Sequence, residues 1–277
     1  MKMKEGQLSS KEISSFQHLI YRYYNQHGRD LPWRNTDNPY HILVSEIMLQ
    51  QTQVDRVIEK YALFIVRFPD VASLAKATLK EVLEVWQGLG YNRRAISFLK
   101  LAGTILSEYQ GKLPADAEEL VKLPGIGRAT AGCLLAFAFR KPSVFIETNI
   151  RRVFIHHFFQ DEEGVRDDEI IPLVEATLDR SNPRDWYYAL MDYGSQLKKE
   201  IENPNKKSAH YTRQAPFENS DRKIRGAILK TLVGNTSMIE EDMITAIGVE
   251  KKRTEKILAA LAQEGFIVRK GRTYRIA

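Results

Sequence analysis

The sequence predicts a mostly α-helical protein that ends in a small C-terminal module of three helices and a hairpin. Three observations predict it. Apolar residues recur at spacings of three and four along the chain. Glycine, proline and Asx clusters separate those stretches. Strand-like alternation enters near the end, in IVRKGRTYRIA.

At 277 residues the chain is long enough for two or three domains with their own cores. Its 41 basic and 35 acidic residues leave a net charge of +6, which leans toward a polyanionic partner. No basic start precedes an apolar core, and no run reaches the roughly 18 apolar residues of a membrane span. A cytoplasmic, nucleoid-associated protein with no membrane partner is expected. A single cysteine, Cys133, excludes an internal disulfide and a cluster held by four thiolates. Its neighbours Ala131, Gly132, Leu134 and Leu135 make it a buried core thiol.

Residues 9–26 place Ile13, Phe16, Leu19, Ile20, Tyr23 and Tyr24 on one helical face, with Ser9 or Ser10 as the cap. HGRDLPWRNTDNPY then breaks the helix. Trp33 in that loop fits a lid over a core, or, beside the planar fork of Arg34, a purine-binding pair. Residues 40–65 read as one long helix. Within it Glu46 interrupts an apolar run and is either an exposed residue of the polar stripe or a desolvated carboxyl able to donate a proton. The amide cluster Gln50, Gln51, Thr52 and Gln53 follows one turn on.

Residues 71–86 read as another helix, closed by the glycines of WQGLGYNRRA. Tyr91 stands at the tip of that turn with Arg93 and Arg94 after it. The arrangement suits ordinary capping or insertion into a base stack with the cations on phosphate. Helices over 93–109 and 115–122 lead to LPGIGRATAG, where Gly125 and Gly127 make a tight turn between two short helices. Bared amides and the following helix N-terminus form an anion site, to which Arg128, Thr130, Arg151 and Arg152 add donors.

Leu-Pro-Gly-Ile-Gly-Arg, followed by a small residue, Thr and Ala, resembles the helix-hairpin-helix of base-excision DNA glycosylases. LPWR, SEIMLQQTQV, WQGLGY, LPGIGRATAG and VFIETNIRRV occur in the order and spacing of the adenine-specific mismatch (MutY-like) branch, over roughly residues 10–200. The resemblance implies a two-lobed glycosylase body. In it Arg34 contacts the extruded adenine, Glu46 protonates the base, Gln51 enters the duplex, Tyr91 wedges into the stack and Asn149 lines the pocket, while the motif's aspartate is Glu147 here. Breaking the N-glycosidic bond builds positive charge on the sugar while the leaving base needs a proton. Glu46 is then the acid and Glu147 the anion, held by Thr148 and Asn149. Ala129 stands where bifunctional relatives carry the Schiff-base lysine, so no lyase activity is expected.

Three departures mark this chain. Glu147 replaces aspartate, and its extra methylene moves the carboxylate by about 1–1.5 Å, enough to cost about 100-fold in rate if uncompensated. After MDYGSQLK, where relatives place the first of four cluster cysteines, this chain has none, so neither an iron-sulfur cluster nor another metal is expected. His156, His157 and His210 do not make a metal site. Where the branch carries a larger C-terminal domain, residues 221–277 look like a winged helix-turn-helix. The start of its third helix is crowded with Lys251, Lys252, Arg253 and Lys256, for a DNA groove or a protein partner.

The expected domains are a helical lobe of 1–29 with 141–203, a six-helix barrel lobe of 30–140 carrying the helix-hairpin-helix, a basic linker of 204–220 and the winged module of 221–277. The expected function is a monofunctional DNA glycosylase, monomeric, acting on double-stranded DNA with a mismatch or lesion, adenine opposite G or 8-oxoguanine first. The alternatives are a weakly catalytic or non-catalytic DNA-binding protein on the same scaffold, or a glycosylase for uracil, thymine opposite G, or hypoxanthine.

Overall fold

A computed structural model describes residues 8–213 and 216–277; the linker residues Gln214 and Ala215, and the first seven residues, lie outside it. The first helix, α1 (Ser10–His27), starts on a capping box in which the Ser9 hydroxyl accepts from the Glu12 amide and the Glu12 carboxylate accepts from the Ser9 amide. A 3-10 turn, Pro32–Arg34, follows. The single helix expected over 40–65 is in fact two, α2 (Pro39–Leu49) and α3 (Val54–Arg67). The chain breaks at the amide cluster because Gln51 takes a left-handed conformation (φ 56°). Likewise 71–86 divides into α4 (Val71–Ala75) and α5 (Leu79–Trp86), since Thr78 and Glu81 form a new capping box.

The pass continues with α6 (Arg93–Glu108), α7 (Ala117–Lys122), α8 (Arg128–Phe139), α9 (Thr148–Phe158), α10 (Asp167–Thr177) and α11 (Pro183–Glu200). A second 3-10 turn, Pro204–Lys207, comes before α12 (Asp221–Val233), β1 (Met238–Ile239), α13 (Glu240–Ile247), α14 (Lys251–Gln263), β2 (Ile267–Lys270) and β3 (Thr273–Ile276). Among the described residues no helix is long and apolar enough to cross a membrane.

Contacts group the chain into two units. Of the described residues, the first takes 8–43, 115–122 and 126–213; the second takes 44–114, 123–125 and 216–277. In the first, α1, α9 and α11 share an aromatic core. Phe16 meets Phe158 edge-on at 5.2 Å and Phe154 at 5.5 Å, with Trp186 fully buried beside them. Each such side chain contributes about 1.5–3 kcal/mol by leaving water.

In the second unit Phe64 of α3 stacks on Phe98 of α6 at 5.5 Å, and Trp86 of α5 closes on Phe64 at 6.1 Å. Its C-terminal part folds α12, α13 and α14 against an antiparallel sheet of order β1-β3-β2. The Lys270 to Thr273 pairing leaves Gly271 and Arg272 as a two-residue turn, and Gly271 supplies the positive φ (64°) such turns require. Tyr274 and Ile276 face inward, while Arg269, Lys270, Arg272 and Arg275 stay exposed.

Candidate functional site

Ser143–Glu147 runs extended from α8 to α9 and is gripped on two sides. The Tyr187 hydroxyl donates to the Ser143 carbonyl at 2.6 Å, and its ring lies 4.1 Å from that of Phe145. On the α8 side Gly132 admits Phe145, since a Cβ there would stand 2.7 Å from the Phe145 Cβ. Glu147 then caps α9. Its Oε1 accepts from the amides of Asn149 (2.7 Å) and Ile150 (2.9 Å), and the Asn149 side chain donates to Oε2 at 3.3 Å. Aspartate is the usual carboxylate in this role. Here the longer Glu147 side chain reaches the same kind of helix-start amides. Burial pushes the Glu147 carboxyl up, while the Ile150 and Asn149 amides and then Arg152 and Arg151 pull it down.

The Arg151-Arg152 pair does not reach out for phosphate. Arg152 is 3% exposed and turned inward. Its Nη1 donates to Asn149 Oδ1 (2.6 Å) and the Gly194 carbonyl (2.7 Å), and its Nε donates to Asn203 Oδ1 (3.1 Å). Arg151 is engaged bidentately by Asp167 at 2.7 Å. Asn205 donates to the Thr148 carbonyl at 2.9 Å, so the corner after α11 braces the start of α9 from both sides. Thr148 itself is exposed and Asn149 half-buried. Asn203, Asn205 and Gly194 carried no sequence signal, because their roles depend on α11 returning to α9.

The expected purine-binding pair is corrected. Trp33 is 2% exposed and sealed in the core, so it presents no face to a base. Arg34 donates to both oxygens of Asp192, at 2.8 and 2.7 Å, and to the Arg29 carbonyl at 3.0 Å, with its guanidinium 4.4 Å from the Tyr188 ring centre. Burial raises the Asp192 carboxyl, but bonds from Arg34 and Arg29 outweigh it and hold the group below the usual range. The Arg34 fork therefore ties the loop to α11 rather than waiting for a ligand.

In the second unit Glu46 is half-buried on α2 among the buried Val44, Ser45, Ile47 and Met48. Two loop tips carry strained non-glycine residues, Gln51 (φ 56°, exposed) and Tyr91 (φ 46°, half-buried). Such conformations cost about 1–3 kcal/mol each and persist where surrounding structure enforces them. Arg94 enforces both. Its Nη1 donates to the carbonyls of Ile47 (2.9 Å), Met48 (2.8 Å) and Gln50 (2.5 Å). Its Nη2 donates to Thr52 Oγ1 (2.9 Å) and the Gly90 carbonyl (3.0 Å). Desolvation in this position pushes its pKa down to about 10. Arg94 is thus a structural staple, not a phosphate ligand, and Arg93 beside it is paired with Glu264.

The hairpin between α7 and α8 has the expected form. Gly125 takes φ 85° and leaves room for Ser97, whose Cβ would lie 3.1 Å from an added one. Gly127 starts α8 without a side-chain cap, and Gly125, Gly127 and Arg128 are exposed while Thr130 is half-buried. Helix-start amides so presented have the polarity that suits an anion. In the C-terminal part Lys252 is exposed, whereas Arg253 is tied to Asp221 (2.6 Å) and the Asn219 carbonyl (2.6 Å). Among the described residues no group of three or more His, Cys, Asp or Glu is placed to hold a metal ion.

Residues 44–171 match the HhH-GPD superfamily base excision DNA repair protein family. An adenine DNA glycosylase of Buchnera aphidicola subsp. Baizongia pistaciae is 38% identical over 66% of this chain and 52% of its own length. That of Mycolicibacterium smegmatis is 30% identical over 90% of this chain and 91% of its own. The chain spans about half the length of the Buchnera relatives it matches. A thermostable thymine-DNA glycosylase structure superimposes with a TM-score of 0.62 at 25% identity, covering 71% of this chain and 92% of that one. With that likeness added to the hairpin, the chain belongs to the helix-hairpin-helix base excision DNA repair family, in its adenine DNA glycosylase branch.

Proposed function

We propose that the chain is a monofunctional DNA glycosylase that flips adenine, mispaired with G or 8-oxoguanine, out of the duplex and hydrolyses its N-glycosidic bond. The observation that carries this reading is the seat of Glu147: a half-buried carboxyl held at a helix start by the Asn149 and Ile150 amides, with Asn149 fixed by Arg152 beneath it. A carboxylate fixed in place by backbone amides is preorganised to stabilise a cation developing on the sugar. Glu46 donates a proton to the departing base, the bond to the sugar breaks with its electron pair leaving on adenine, and water adds to the sugar carbon and returns a proton to the Glu46 carboxylate.

In this reading Gln51 and Tyr91 fill the space left by the flipped base. Gly125, Gly127, Arg128 and Thr130 hold the backbone, and the C-terminal module, read as a winged helix, adds Lys252 and its exposed turn. The protein works as a monomer on chromosomal DNA in the cytoplasm. Ala129 supplies no amine for a Schiff base, and one cysteine cannot supply the four thiolates of a cluster. The test is adenine release from duplexes carrying A opposite G, 8-oxoguanine, C or T. Product with the first two, abolished by Glu46→Gln, is expected; binding without product across the panel rejects the enzyme.

One observation favours a non-catalytic DNA-binding protein instead: Glu147 Oε1 is already committed to two helix amides. Glu147→Asp separates the readings, since it raises the rate if reach limits catalysis and changes nothing in a binding protein. The 25% identity to a thymine-DNA glycosylase adds thymine opposite G to the substrate panel.

A further inference from the structure

We propose that Arg93 and Arg225 form a binding site for a DNA phosphodiester, and that Glu264 of the protein itself fills this site when no DNA is bound. The proposal rests on DNA being the partner, not on any excision step.

Glu264 stands at the end of α14, where Arg93 from α6 and Arg225 from α12 enclose its carboxylate. Arg93 donates from Nη2 to Oε1 at 2.7 Å and from Nε to Oε2 at 2.9 Å. Arg225 donates from Nη1 to Oε1 at 3.0 Å and from Nη2 to Oε2. Two planar forks around two oxygens of one anion is the arrangement in which guanidinium groups take the non-bridging oxygens of a phosphate. The carboxylate therefore reports the charge, the geometry and the size of what the site accepts.

Access and location point to nucleic acid as the source of that phosphate. The Arg93 side chain is 74% exposed, so an incoming anion reaches it without moving the backbone. It follows Tyr91 by two residues, and Arg222, one turn before Arg225 on α12, donates to the Tyr91 hydroxyl at 3.2 Å. A strand whose stack receives Tyr91 brings its flanking phosphates to this spot. The Arg93 half of the cluster is open to water, so its pairing with Glu264 weakens with salt. A duplex phosphate brings condensed counterions whose release favours the exchange, and the Glu264 side chain turns away about its own single bonds.

Equilibrium binding of a fluorescent undamaged 20-base-pair duplex, followed by anisotropy across a range of NaCl concentrations, tests the idea with the full chain. Such DNA offers no base to excise, so the outcome is independent of whether the protein is a glycosylase. Glu264→Gln is expected to bind about 3–10-fold tighter near 0.1 M salt and to steepen the log-log salt slope by about 1–2. Glu255→Gln, which removes the same charge from the same helix, is expected to change affinity less than twofold. The gain should vanish in Glu264→Gln combined with Arg93→Gln. Unchanged or weaker binding by Glu264→Gln, an equal gain from Glu255→Gln, or a gain that survives in the double variant each overturns the site. Should Glu264→Gln fail to fold by circular dichroism, the Nε–Hε NMR signals of Arg93 and Arg225 in the unaltered protein decide. Both shift on adding the duplex if phosphate replaces Glu264, and signals that stay in place overturn the proposal.

Discussion

Gly194 lies where any larger residue would strike Asn149: an added Cβ would stand 2.4 Å from the Asn149 carbonyl oxygen and 2.9 Å from its carbonyl carbon. Both obstacles are backbone, so α9 would have to move away from α11, and Glu147 and Asn149 would move with it. Gly194→Ala should therefore lower stability by about 1–3 kcal/mol, the usual cost of overpacking. It should also slow excision by about 10- to 100-fold, because displacements near 1 Å cost that much. Thermal unfolding and single-turnover excision measure the two effects, and a variant with wild-type Tm and rate would show that the crossing has slack.

Arg94 carries a second prediction. Lysine at this position keeps the charge but not the fork, and one ammonium cannot serve the carbonyls at the end of α2 and those of the 89–91 loop together. Arg94→Lys should cost about 2–4 kcal/mol by leaving part-buried carbonyls without donors. Urea unfolding checks this. A loss as small as that of a surface substitution would mean that charge, not geometry, is what the site needs.

The Glu147 carboxyl binds its proton more tightly in the folded protein, since burial raises its pKa above the ordinary 4.5. The folded state then holds more protons than the unfolded one over this interval, so the contribution of Glu147 to stability declines as pH rises from 4.5 through the raised value. Glu147→Gln keeps an oxygen acceptor for the Asn149 and Ile150 amides and cannot ionise. Its Tm should exceed that of the wild type at pH 7 and converge with it near pH 4, and differential scanning calorimetry at the two pH values tests the sign.

Glu264 has the opposite sign. Hydrogen bonds from Arg93 and then Arg225 hold its carboxyl down at about 2, from an ordinary 4.5. The stabilisation it provides is complete above pH 4.5 and is lost as pH falls toward 2. The wild type should melt above Glu264→Gln at pH 7 in low salt, by a margin that shrinks with added NaCl and closes as the pH approaches 2. A margin independent of both salt and pH would assign the effect to packing.

Much of this protein was legible in its amino acids because the relevant signals are local. Ser9 and Glu12 three apart make a cap wherever a helix begins, Pro-Gly-Ile-Gly makes a turn with bare amides, and Lys270-Gly271 makes a hairpin. The family resemblance rests on the same kind of short, ordered motif. The loop left Trp33 open between a lid over a core and a purine-binding pair with Arg34, and local sequence does not decide between them. Burial put the first in the core and gave the second to Asp192, 158 residues away.

What tertiary structure alone decided is which charges have partners. A guanidinium in a sequence is a cation with an unspecified counter-ion. Folding assigned Arg152 to Asn149 and Gly194, Arg94 to the carbonyls of two loops, and Arg93 to Glu264, 171 residues distant. The physical reason is range: helix periodicity and capping are settled within about four residues. The pairing of a buried charge is settled by whichever segment the packed core brings within about 3 Å. The chain's local order therefore fixes where its helices start, and the crossing of α9 with α11 at Gly194 fixes where Glu147 can stand.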